Sequence, residues 1–369
     1  MKAVILVGGE GTRLRPLTLN RPKPMVPILN RPFLEHMINY LNGHGIDDII
    51  LALCYLPEHI QKYFGDGSDF GVRLTCVTES PPLGTAGAVK NVEQHLDETF
   101  FVFNGDVFTD LDLTQMMELH HERRAKVTIA LTPVENPSIY GVVEADINGR
   151  VERFVEKPSP DAVTTNMINA GTYIIEPGAL ESIPSQSFCM FEREVFPKLV
   201  ETGDPVYSYA SDAYWIDIGS HDKYLKLHYD LLRGKTAKSF PSKGIQVDGD
   251  CDIHSKAELK GPIIIGTNCV IGPRVQVKGP SVIGPNCHIG ADSIVDGAVV
   301  WENTNFGQGV SARECIIAEN VHVGDRSQIM KGAVLGDNVV VGAGKRIGRD
   351  TRLGADDPLY QPSNAVLGR

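Results

Sequence analysis

The sequence predicts an α/β protein in two parts: a Rossmann-like, open, mainly parallel sheet, followed by a left-handed parallel β-helix. Three observations lead there. From Met1 to Arg233 the chain alternates buried-strand and amphipathic-helix patterns. From Val247 onward an aliphatic residue recurs every six positions. Between the two, residues 234–244 ("GKTAKSFPSKG") are polar and broken by Pro and Gly, as a linker is. The expected division is a catalytic-type sheet domain at 1–233, a linker at 234–244, and a hexapeptide-repeat β-helix with a C-terminal tail at 245–369.

In chain order, "AVILVG" (Ala3–Gly8) is a continuous apolar run closed by glycine, the pattern of a strand buried on both faces. "PFLEHMINYLNGHG" sets Leu34, Met37, Ile38 and Leu41 on one helical face, with Pro32 suited to the first turn and Gly43 or Gly45 to the stop. "DIILAL" is a second strand, a short helix opens near Pro57, and "GVRLTCVT" is a third strand. "GTAGAVKNVEQHL" reads as a helix and "TFFVFNGD" as a strand ending on an aspartate. This alternation predicts parallel strands joined by helical crossovers. Past Lys126 the pattern is richer in strands, and "YGVVEADINGRVERFVEKP" reads as a hairpin turning at Asn148-Gly149.

The period-six series runs Val247, Ile253, Leu259, Ile265, Ile271, Val277, Ile283, Ile289, Val295, Trp301, then resumes in a shifted frame from Ile317 to Leu353. Each hexapeptide forms one side of a triangular coil, so three make a turn. The frame shift is expected to mark a loop or partial coil. Cys251, Cys269 and Cys287 are each separated by three hexapeptides, one full coil, and read as a column of small inward residues rather than a thiol site.

The composition is that of a soluble globular protein, with 42% hydrophobic and 22% charged residues. A net charge of −11 argues against a non-specific nucleic-acid grip. Scattered cysteines, no zinc spacing, no signal-peptide core and no long apolar segment point to a cytoplasmic protein away from membranes.

The stretch "GGEGTRLRPLTLNRPKPM" (Gly8–Met25) follows the first strand. It lacks G-x-x-x-x-G-K-[ST], and Leu14 stands where a dinucleotide fingerprint needs its third glycine. What remains is a glycine turn whose N–H groups could wrap a base or phosphate, with Arg13, Arg15, Arg21 and Lys23 close behind. Taken alone, a tight turn with solvated basic side chains would explain it equally.

The whole string resembles the signature of the sugar-phosphate nucleotidyltransferases, G-G-x-G-T-R-L-x-P-L-T-x-x-x-P-K-P, at every fixed position. "PLGTAGA", "NGD", "YGVV", "FVEKP", "INAGTYII", "FEREVFP" and "WIDIGS" follow in the family's order. Nearly the whole chain is covered, since several members also carry a hexapeptide β-helix. Several stretches are similar to the guanylyltransferases acting on mannose 1-phosphate.

The resemblance implies attack by a sugar 1-phosphate oxygen on the α-phosphorus of a nucleoside triphosphate, releasing pyrophosphate. It implies Arg13 and Lys23 as catalytic residues. It implies Leu6, Gly8, Gly9, Gly11, Thr12, Glu79, Gly84, Thr85 and Asp106 at the nucleotide. Gly141, Glu156, Lys157 and Asn169 would hold the sugar phosphate, and Asp106 and Asp217 a Mg²⁺ cofactor. In uridylyl- and thymidylyltransferases a Gln lies five residues before the glycine matching Gly84, and here Glu79 stands there. A carboxylate suits guanine's two adjacent donors, so GTP is the expected nucleotide and a GDP-sugar the product. The β-helix is expected to pack against the catalytic domain or another subunit in a homo-oligomer.

Three other readings stay open. One is a thymidylyl- or uridylyltransferase acting on glucose 1-phosphate. Another is a bifunctional chain whose β-helix is an acyltransferase using His254, His288 or His322. The last is a regulatory subunit with an inactive catalytic domain.

Overall fold

Five apolar residues in a row, Ala3 to Val7, have no polar face to show to water, and the chain places them in the middle of a sheet, four buried and Leu6 half-buried. In a computed structural model of the protein, residues 1–236 and 244–355 are described. Most of the expected linker and the expected C-terminal tail from 356 lie outside them.

Strand Lys2–Val7 pairs in parallel with Asp48–Leu53 on one side and Phe100–Asn104 on the other. Arg73–Thr78 extends the parallel run beyond Asp48–Leu53. Helices Phe33–Gly43, Pro57–Phe64 and Gly84–Asn91 make the crossovers that parallel strands require. Beyond Phe100–Asn104 the sheet turns antiparallel with Met167–Ile175, then Gly141–Ala145 and Val151–Glu156. Val127–Pro133 pairs with Met167–Ile175 and, in parallel, with Val206–Ala210. The predicted strands and crossovers are present. In the predicted hairpin only Gly149 takes a positive φ, and the Asp146 carboxylate caps the turn by accepting from the N–H groups of Asn148 and Arg150.

By packing, the chain forms two compact units. One comprises Met1–Glu10 and Leu34–Asp217, and the other Gly11–Phe33 with the described part of Ile218–Arg369. In the second unit three parallel sheets of seven, six and six short strands stack the hexapeptides into a triangular coil. The inward column is almost wholly buried, from Ile265 through Leu353.

Of the two expectations for the frame shift, a loop or a partial coil, the loop is not the one found. A coil is three full hexapeptides long where Ile263 pairs with Ser281, but one residue shorter where Val282 pairs with Val299 and again where Val299 pairs with Ile316. The full length returns where Ile316 pairs with Val334. Two successive coils are thus each cut short at a corner, and no loop is inserted. Val300, paired with Ile283, is therefore the inward residue, and Trp301 takes the next position outward, correcting its placement in the series. Cys251, Cys269, Cys287 and then Thr304 each donate to a backbone carbonyl of the following coil: Gly266, Gly284, Trp301 and Ala318. The three cysteines form the column of small inward residues the spacing predicted, and Thr304 extends it.

Helix His221–Leu232 ties this unit together. Its N-cap Ser220 accepts from Lys223 N–H, and Tyr229 donates to the Gly297 carbonyl. The His221 Nε2–H donates to the Leu14 carbonyl at 3.0 Å, while its buried Nδ1 has no hydrogen-bond partner among the described residues. Burial pushes the His221 imidazole pKa down, with the Leu14 bond opposing, and burial does the same to His120 in the first unit. Both side chains are held neutral, so the unfolded chain binds protons below pH ~6.5 that the folded chain refuses. The stability these groups contribute is thus present above that pH and lost as pH falls toward their depressed folded values. The urea midpoint should drop between pH 7 and 5, and His221→Gln, which keeps an N–H donor, should flatten part of that slope.

Candidate active site

The carboxyl ends of the two central strands deliver the candidate nucleotide residues, at the edge where open α/β sheets bind ligands. Lys2–Val7 leads into Gly8, and Phe100–Asn104 leads into Gly105 and Asp106. Gly105 has to be glycine, because a Cβ there would lie 2.4 Å from the Leu6 carbonyl oxygen, which accepts the Gly105 N–H. Gly8 faces the buried Glu79 carboxylate, since a Cβ at Gly8 would sit 3.0 Å from Glu79 Oε1. The Glu79 Oε2 accepts from the Leu83 N–H at 2.8 Å. Burial raises the Glu79 pKa, and the Leu83 bond opposes. Gly9 has open space where a Cβ would stand.

Gly84 begins the following helix at φ +75°, pressed against the Cys189 carbonyl. Next to it, the Thr85 hydroxyl donates to Glu192 Oε2 and accepts from Phe191 N–H.

Asp106 and Asp217 come together through the two-stranded pairing of Val107–Thr109 with Trp215–Asp217. Asp217 stands opposite Val107, the residue directly after Asp106. Asp217 is buried, and Tyr140 donates its hydroxyl to Asp217 Oδ1 at 2.9 Å. Two carboxylates with hard oxygen donors, one fixed by a tyrosine, fit Mg²⁺, which keeps several of its ligands as water or substrate phosphate. Among the described residues no cluster of three or more His, Cys, Asp or Glu side chains could hold a metal by itself.

The sugar-phosphate candidates share the hairpin and its neighbouring strand. Gly141 pairs with Glu156, and a Cβ at Gly141 would meet Glu156 Oε2 at 2.9 Å. Lys157 follows at φ +50°, exposed, with its ammonium 3.6 Å from Glu156. Asn169 is locked, because its Nδ2 donates to the Tyr173 hydroxyl and its Oδ1 accepts from Gly171 N–H. The Tyr173 hydroxyl in turn donates to Glu192 Oε1, so Glu192 links Asn169 to Thr85 through hydroxyl donors. Burial raises the Glu192 pKa as well.

Gly11, Thr12, Arg13 and Lys23 belong to the second unit and continue the chain directly from Glu10. Gly11 at φ +63° turns the chain so tightly that a Cβ would stand 3.1 Å from the side chains of Lys23 and Thr18. Thr18 Oγ1 donates to the Gly11 carbonyl. Thr12–Leu14 and Lys23–Met25 are single 3₁₀ turns, the first presenting Arg13 exposed and the second holding Lys23 mostly buried. His254, His288 and His322 are exposed on the β-helix surface.

Within the first unit, then, the structure groups Gly8 with Glu79, Asp106 with Asp217, and Gly141 with Glu156 and Lys157. Sequence reasoning passed over Tyr140 and Glu192. Both stood in the quoted stretches "YGVV" and "FEREVFP", but nothing local to them showed what they touch.

A mainly parallel sheet whose central strands end in a glycine turn and an aspartate, with a second aspartate brought beside the first, presents its candidate residues at the edge where open α/β sheets bind ligands. The nucleotidyl transferase family model matches residues 2–234, and that of the EIF2B subunit epsilon LbH domain matches residues 242–347. The chain belongs to the nucleotidyl transferase family and carries a C-terminal left-handed β-helix. Among its relatives, the mannose-1-phosphate guanylyltransferase of Mycobacterium tuberculosis is 41% identical over 267 residues, covering 72% of this chain and 73% of that protein. The UTP–glucose-1-phosphate uridylyltransferase of Synechocystis is 37% identical over 336 residues, covering 84% and 85%. The crystal structure of HddC from Yersinia pseudotuberculosis complexed with GMP-PN is 33% identical with a TM-score of 0.54, covering 61% of this chain and 97% of that one. Among the described residues no helix is long and apolar enough to cross a membrane.

Proposed function

We propose that the protein transfers a guanylyl group from GTP to mannose 1-phosphate, giving GDP-mannose and pyrophosphate, with Mg²⁺ as cofactor. The observation that carries the choice of nucleotide is Glu79. Its Oε2 is held by the Leu83 N–H and its Oε1 lies on the Gly8 side. A carboxylate fixed in this way offers only acceptors, which match guanine N1–H and the 2-amino group and oppose the uracil O4. The mannose 1-phosphate guanylyltransferase at 41% identity agrees with this reading.

The sugar phosphate is anionic at neutral pH, so its oxygen attacks the α-phosphorus without a general base, and pyrophosphate leaves in line. By the family resemblance, Leu6, Gly8, Gly9, Gly11, Thr12, Gly84 and Thr85 would bind the nucleotide. Arg13 would neutralise charge developing on the transferring phosphoryl group, and Lys23 would hold a phosphate. Lys157 would grip the sugar's phosphate as a point charge, with Glu156, Gly141 and Asn169 ordering the sugar. Asp106 and Asp217 would hold the Mg²⁺, which when bound screens the phosphate charge.

The test is pyrophosphate release from GTP, UTP, dTTP, CTP and ATP against mannose and glucose 1-phosphates. GTP with mannose 1-phosphate should give the highest kcat/KM. UTP or dTTP serving at least as well would overturn the reading in favour of the uridylyltransferase named at 37% identity. Glu79→Gln sharpens the test. The Leu83 N–H would keep the amide oxygen, turning the amide N–H toward the base. The kcat/KM for GTP should fall by about 10- to 100-fold, the loss of a hydrogen bond to a charged group, while that for UTP rises. Acidification should narrow the preference in the same direction, since a protonated Glu79 also presents one donor and one acceptor.

A further inference from the structure

The segment Gly11–Phe33 carries an arginine that the transfer chemistry leaves unused. In the β-helix, the residue after each inward Ile265, Ile283, Val300, Ile317 and Leu335 forms a corner column of Gly266, Gly284, Trp301, Ala318 and Gly336. Four of the five are small. The segment lies along this corner: Asn30 Nδ2 donates to the Ile283 carbonyl, and a Cβ at Gly336 would meet Pro16 Cβ at 2.8 Å. The large member, Trp301, donates its Nε1–H to the Tyr224 hydroxyl, which donates onward to the Pro27 carbonyl.

The next column outward holds carboxylates on three successive coils, Glu302, Glu319 and Asp337. Arg21 is seated among them. Its Nη2 is 2.5 Å from Glu319 Oε2 and 3.7 Å from Asp337 Oδ2, and its guanidinium lies 4.7 Å from the centroid of the Trp301 ring. Arg21 is 16% exposed and Asp337 only 2%. Burial, then the charge of Glu319, raises the carboxyl pKa of Glu302. Burial also raises that of Asp337, and Arg21 opposes both shifts. Coil stacking does not call for three such carboxylates, since Pro285 holds the same column one coil earlier. A stack of like charges is unfavourable without a cation, and the planar, stackable guanidinium is the group that fits between an indole and carboxylates.

We propose that Arg21 is a positioning residue for nucleotidyl transfer. Seated on Trp301 and the Glu302–Glu319–Asp337 column, it fixes the segment that carries Arg13 and Lys23. The β-helix thereby sets the geometry of the catalytic loop. This rests on the roles given above to Arg13 and Lys23.

The test uses the full chain with Arg21→Met, Trp301→Leu and Glu319→Gln, reading hydrogen exchange of residues 11–25 and pyrophosphate release. Exchange should quicken in each variant. The kcat should fall about tenfold or more, as small misplacements of catalytic groups do, with the KM for sugar phosphate unchanged. Arg21→Lys, which keeps the charge and loses the fork, should recover part of the loss and is the variant to use if Arg21→Met does not fold. Unchanged exchange overturns the anchoring, and faster exchange with unchanged kcat overturns the positioning. Activity is read with whichever nucleotide the wild type prefers, so a preference for UTP would revise the substrate and leave this test intact.

Discussion

Asp217→Asn and Asp106→Asn should each lower turnover by about 10²–10³-fold while leaving the melting temperature close to that of the wild type. Each substitution is isosteric, and each removes one negative charge from a pair brought together by the pairing of Asp217 with Val107. Asp217 Oδ1 accepts from Tyr140, and asparagine can still accept there, so the local fold should hold. The loss should appear at saturating GTP and sugar phosphate, and it should shrink but not vanish as Mg²⁺ is raised. Tyr140→Phe should give a smaller loss of about tenfold, since it frees the carboxylate's orientation without removing its charge. Near-normal turnover in either aspartate variant would remove the metal assignment.

The contrast between Asp217 and Trp301 shows what the sequence could and could not reveal. "WIDIGS" announced Asp217, and the resemblance put it on one metal with Asp106, but the antiparallel register that brings the two together has no local signature, because they are far apart in the chain. The period-six rule located the β-helix from Val247 onward, since each side of a coil demands an inward apolar residue. It failed at Trp301 because Val300 and Trp301 are both apolar, and periodicity cannot show that a corner is one residue short. With that frame lost, the column of Glu302, Glu319 and Asp337 is invisible, for its first step is one residue shorter than its second. Glu192 was hidden for a similar reason, meeting Thr85 across a separation of 107 positions. The packing of Gly11–Phe33 in one unit with the β-helix, apart from the strand that precedes it, has no local signature at all.

Phe306→Ala should destabilise the second unit by about 3–5 kcal/mol, the usual cost of emptying a buried aromatic site. Phe306 is fully buried in the inward column, paired with Ile289 below and Val323 above. The same column holds Ile253, Ile271 and Val341 in other coils, so the phenyl ring is its largest filler. Alanine would leave a void inside a triangular coil whose three walls are hydrogen-bonded sheets, which cannot close around it. Each coil contacts only its neighbours, so the damage should spread along the stack through the interfaces with Ile289 and Val323. The urea midpoint should fall with an unchanged slope, and Phe306→Leu should retain most of the stability. A loss below about 1 kcal/mol would mean that the coil relaxes, contrary to its packing. Activity should fail in step with unfolding of the β-helix, because Arg13 and Lys23 lie in the unit that the coil stabilises. The aspartate variants should instead lose activity while fully folded, and that difference separates residues acting on the phosphates from residues that hold the loop.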